Sequence, residues 1–173
     1  MHQKLPQELD PFRYAQNGLE LEGELQLLSM NRLAKYLHND EGVVDITMKF
    51  DVDETGTPYM RGQFQVTLSL NCERCTQAMD LELKVDSLLA IVKSEIKVEG
   101  LAEQYEPWVI DTNDLVILSS VVEDELILAL PLVPRHDHDC LPEEVWSAGD
   151  DLNVEEEKPA SPFAVLSALK VKN

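Results

Sequence analysis

The chain has 173 residues, 33 of them acidic and 14 basic, and a formal net charge of −19. Such a surface repels a phosphate backbone, which argues against DNA and against naked RNA held on a broad basic face; a basic partner protein or a small local basic patch fits better. Apolar residues make up 44%, enough for one folded domain, but no apolar run reaches the ~18–20 residues of a membrane-spanning helix and the start from Met1 to Glu8 has no hydrophobic signal core, so the chain reads as cytoplasmic with no membrane partner.

Asp10 and Pro11 are placed as N-cap and first-turn residue of a short helix that Gly18 ends. Leu19, Leu21, Gly23, Leu25 and Leu27 then alternate with Glu20, Glu22, Glu24 and Gln26, the pattern of a half-buried strand. Ser29 is expected to cap a helix over Met30 to Leu37. A second strand runs from Val43 to Val52, a hairpin loop spans Asp53 to Pro58, and a third strand runs from Tyr59 to Leu70. Met79 to Val98 gives a fourth strand region, and Tyr105 to Ile110 a short fifth. A helix starts near Asp111 to Asp114, and Leu115 to Leu130 is apolar at helical spacing until Pro131 and Pro134 stop it. Within it, Glu123, Asp124 and Glu125 are expected on a solvated face opposite Val121, Val122, Leu126, Ile127 and Leu130.

Strands joined by hairpins, with helices between and after, predict an α+β domain. Its antiparallel sheet is expected to be strongly curved or barrel-like. The expected organisation is one domain over 1–140, an acidic flexible linker over 141–161 and an apolar, basic-ended tail over 162–173 forming a short helix. In that tail Phe163, Leu166 and Leu169 share a helical face, followed by Lys170 and Lys172.

The three cysteines lie in two places. Cys72 and Cys75 form a C-E-R-C knuckle where the third strand ends, and Cys140 follows His136 and His138 in a polar segment. Thiolate and imidazole are zinc's structural ligands, so Cys72, Cys75 and Cys140 with His136 or His138 make a candidate tetrahedral site. The first pair has regular zinc spacing; the second cluster does not. Two other readings stay open. The cysteines can be small buried apolar groups, or a redox dithiol, although that chemistry normally sits at a helix N-terminus and this pair follows a strand. There is no GxxxxGK and no GxGxxG.

Cys72-Glu-Arg-Cys75, Tyr105-Glu-Pro107, Val122 through Pro131, Pro134-x-His136 with Cys140, and Pro162-Phe-Ala-Val-Leu-x-x-Leu-Lys170 occur in this order along nearly the whole chain. They resemble the bacterial YceD family of large ribosomal RNA subunit accumulation proteins, as does the early Leu9-Asp-Pro11. The resemblance implies a cytoplasmic, non-enzymatic ribosome biogenesis factor needed for synthesis, processing or stability of the large-subunit (23S) ribosomal RNA. The implied partners are a large-subunit precursor, its RNA or a basic ribosomal protein. Arg74, Phe163, Leu166, Lys170 and Lys172 are the expected contact residues. The alternatives are a thiol- or metal-dependent RNA-processing enzyme using the Cys and His residues, and a dedicated chaperone of one basic ribosomal protein.

Overall fold

The computed structural model describes residues 5–94, 98, 100–110 and 115–142. Chain contacts divide the protein into Met1–His138 and Asp139–Asn173, and the fold below is that of the first unit. The tail residues Phe163, Leu166, Lys170 and Lys172, the linker beyond 142 and the expected helix start at 111–114 lie outside the described residues.

The elements are β1 (Glu8–Leu9), α1 (Pro11–Gln16), β2 (Glu20–Gln26), β3 (Val43–Val52), β4 (Pro58–Asn71), β5 (Ala78–Val92), β6 (Glu106–Val109), β7 (Val116–Ile117) and α2 (Leu118–Ala129). The Asp10 side chain accepts a hydrogen bond from Arg13 N at 3.1 Å and Pro11 opens α1, as the capping signal predicts. β2 to β5 form an antiparallel meander, Ile46 facing Phe64 and Phe64 facing Val85 across its centre. Alternation sends Val44, Ile46, Met48, Phe50, Met60, Phe64, Val66, Leu68 and Leu70 to one buried face. The helices add Ala15, Val121, Val122 and Leu126 to that core, a two-layer α+β arrangement.

The sheet is not a barrel. Its order is β2-β3-β4-β5-β6 with β2 and β6 at the edges, and among the described residues no pairing joins them. β6 is four residues long, runs parallel to β5 and contains Pro107, which has no N–H to give a further neighbour. A separate two-stranded pairing joins β1 to β7, which the sequence pattern did not indicate.

The expected helix over Met30 to Leu37 is replaced by two short 3-10 segments, Leu27–Ser29 and Leu33–Tyr36. Leu27, Met30 and Leu33 are all buried, and their three-residue spacing is the period of a 3-10 turn rather than of an α-helix. The Ser29 hydroxyl donates back to Gln26 O at 2.7 Å instead of capping forward. Leu37 then bridges to Leu70 and His38 N donates to Ser69 O, which pulls the chain out of helical geometry.

The acidic stretch of α2 is also corrected. Glu123 and Glu125 are buried, while Asp124 stays exposed. Burial of a carboxylate requires partners, and both have them. Glu123 Oε2 accepts from Arg32 Nε at 2.9 Å and Oε1 from Leu33 N at 3.0 Å. Glu125 accepts from the Ser87 hydroxyl of β5.

Candidate metal centre

The knuckle between β4 and β5 is built from main-chain bonds. Cys72 N donates to Gln77 O at 2.9 Å and Thr76 N to Cys72 O at 2.8 Å. The turn needs a left-handed residue, and Thr76 supplies it at φ 61°, an uncommon conformation for a β-branched side chain. Its hydroxyl compensates in part by donating to Cys75 O at 2.7 Å.

The segment after α2 is fastened to this knuckle. Glu73 N donates to Pro134 O at 2.8 Å. Arg74 Nη2 donates to His136 O at 3.0 Å and also to His138 O. Arg74, expected as a partner contact, therefore grips the carbonyls of the 136–138 stretch.

Cys75 Sγ lies 3.5 Å from His136 Nδ1, and His136 Nε2 lies 3.3 Å from Ala78 O. With its proton on Nε2, the imidazole donates to the Ala78 carbonyl and turns the Nδ1 lone pair toward the sulfurs. A backbone carbonyl fixes the tautomer of a metal-binding histidine in this way. Within the first unit, one ligand atom from each of Cys72, Cys75 and His136 lies within 4.8 Å of the other two. His138 stands outside this group, its ring packed on that of His136 with centroids 4.8 Å apart.

Cys72 is buried, which pushes its thiol pKa up. The backbone N–H groups of Cys75, His136 and Arg74 more than offset this and bring it down to about 5. Arg74 N itself sits 3.4 Å from Cys72 Sγ. A thiolate is the form that binds a metal, so the donor types and the lowered Cys72 pKa fit zinc. Sequence reasoning had no access to the Pro134 and Ala78 carbonyls, because main-chain atoms carry no residue signature.

Residues 60–170, which include the whole of this group, match the family model described as large ribosomal RNA subunit accumulation protein YceD. A protein from Haemophilus influenzae, described in the same words, is 34% identical over 173 residues, covering 98% of this chain and 98% of its own. No solved structure matches the chain. A match running through the knuckle, α2 and the histidine segment, at that identity and over nearly the full length of both proteins, places the chain in the YceD family of large ribosomal RNA subunit accumulation proteins.

Proposed function

We propose that this chain is a ribosome biogenesis factor that sustains accumulation of the large-subunit ribosomal RNA in the cytoplasm. The observation that carries this reading is the match to the Haemophilus influenzae protein over 98% of both chains. The charge of −19 favours action through protein contacts over a broad RNA-binding face. Sedimentation of cell extract at low salt tests it: the protein is expected among large-subunit precursors. Its exclusive recovery as free protein at the top of the gradient would contradict direct action. Release by RNase would point to an RNA contact, and an RNase-resistant complex to a basic ribosomal protein.

The same reading gives the cysteine and histidine residues a structural role. Cys72, Cys75 and His136 would hold zinc with a fourth ligand, for which the sequence offers Cys140, and a bound ion would supply a tetrahedral cross-link between the β4–β5 knuckle and the segment after α2. Four protein ligands leave no open coordination position for a reacting water, which distinguishes structural from catalytic zinc. This supports a non-catalytic factor. Arg74 acts beside the site by holding the carbonyls of His136 and His138.

A further inference from the structure

β2 lies at the open edge of the sheet. It pairs with β3 on one side, Leu21 facing Met48 and Leu25 facing Val44, and among the described residues no strand pairs with its other side. Beside that edge is a cavity of about 700 Å³ lined by Leu5 to Glu8, Glu24 to Gln26, Ser29 and Ile117 to Ser119. Side chains of consecutive strand residues point to opposite faces. Glu24, Leu25 and Gln26 are the last three residues of β2, so the cavity adjoins the C-terminal end of that strand.

The chemistry of the lining is two-sided. Its charged members, Glu8 and Glu24, are both acidic, and Leu5, Pro6, Leu25, Ile117 and Leu118 supply the apolar part. Along β2 the outward positions are Glu20, Glu22 and Glu24, and Leu21 and Gly23 face the core. Glu20 is already bridged by Lys49 at 3.1 Å. Leu5 lies over Gly23, where an added Cβ would meet Leu5 Cγ at 3.0 Å. Leu5 thus lies against the inner face of the strand.

We propose that the β2 edge and this groove receive an extended segment of a partner protein as an added strand, with basic and apolar residues alternating. A guest strand beside β2 places every second side chain next to Glu22 and Glu24, where Lys or Arg is complementary. The intervening side chains fall toward Leu25, Ile117 and Leu118. Main-chain bonds to β2 supply affinity and the alternation supplies specificity. The seven residues of β2 offer about 23 Å of edge at ~3.3 Å per residue. The inference goes beyond the biogenesis reading and does not depend on the metal centre.

The test uses the full chain and three synthetic peptides: alternating Lys and Val, alternating Glu and Val, and the Lys–Val peptide N-methylated at every residue. Fluorescence anisotropy is expected to show binding of the first only, weakening with salt. Amide exchange at residues 20–26 should slow when it binds. Glu8→Lys with Glu24→Lys, both at exposed positions, should weaken binding about tenfold at unchanged Tm. Absence of Lys–Val binding, equal binding of the N-methylated peptide, or an indifferent double variant would overturn the proposal. So would slow exchange, in the free protein, at the β2 amides that do not bond to β3, which would mean that another segment of the chain fills the edge.

Discussion

The carboxylate of Glu123 holds Arg32 twice, through the backbone N–H and through Nε at 2.9 Å. It also takes Leu33 N at 3.0 Å and so caps the second 3-10 segment from across the core. Arg32 extends the tie to α2 through Asp124 at 2.6 Å and Ser120 O at 3.2 Å. Removing the carboxylate leaves two backbone donors unpaired and frees the segment. Glu123→Ala is therefore expected to cost about 2–4 kcal/mol, and Asp124→Ala, at an exposed pair, under ~1 kcal/mol. Urea unfolding of the two variants checks the ranking; equal losses would contradict it.

Acid should expose the same relationship. Burial pushes the Glu123 carboxyl up, but Leu33 N, the Arg32 guanidinium and Arg32 N together hold it below its ordinary 4.5. Asp53 is drawn from 3.8 to about 2 by Thr55 and Thr57, against a smaller opposing effect of burial. Both folded values lie below the unfolded ones, so the stability they contribute is present above the unfolded values and lost as pH falls through the folded ones. Stability is expected to fall between about pH 4.5 and pH 2, and Glu123→Gln should flatten the upper part of that fall.

Glu125 works in the opposite sense. Burial raises its carboxyl above 4.5, Ser87 pulls it partly back, and Glu106 and Asp124 add repulsion. A raised folded value gives stability that is full below the unfolded pKa and is lost as pH rises through the folded one. Glu125→Gln keeps an acceptor for Ser87 and removes the buried charge. It should raise Tm at pH 7 and change it little at pH 4; a loss of stability at pH 7 would show that the charged form is needed.

Gly62 faces inward on β4 beneath the Phe64 ring, and an added Cβ would overlap Phe64 Cζ and meet Met60 Sδ at 3.2 Å. Gly62→Ala is expected to cost about 1–3 kcal/mol by overpacking. A neutral effect in thermal unfolding would mean that the Phe64 ring moves aside freely.

The metal assignment separates two neighbouring histidines. Purified protein should hold about one zinc per chain. Cys72→Ser, Cys75→Ser and His136→Ala should lose it, and His138→Ala should retain it. Strong chelators should lower Tm in the wild type and leave His136→Ala unaffected. Zinc retained by His136→Ala but lost from His138→Ala would reassign the fourth ligand.

The strands were legible because their alternation is local: Val43–Val52 is bounded as read, and β4 and β5 differ from the reading mainly at their ends. The turn at Cys72–Cys75 between β4 and β5 was legible from residue type alone. Glu123 was misread because its partner Arg32 is 91 residues away, and an acid on an apolar helix otherwise suggests solvent. Sheet closure was misread because it depends on which edges pair, and Pro107 at the β6 edge acts only once β6 has found β5. The contact of His136 Nε2 with the Ala78 carbonyl at 3.3 Å was not legible, because no residue pattern encodes a main-chain atom.

The central claim is a role in accumulation of the large-subunit ribosomal RNA, and its most direct measurement is the ratio of large- to small-subunit ribosomal RNA in a strain deleted for this gene, with precursor ends mapped. The ratio is expected to fall selectively and to recover when the intact gene is restored. An unchanged ratio with normal precursor ends would contradict the claim.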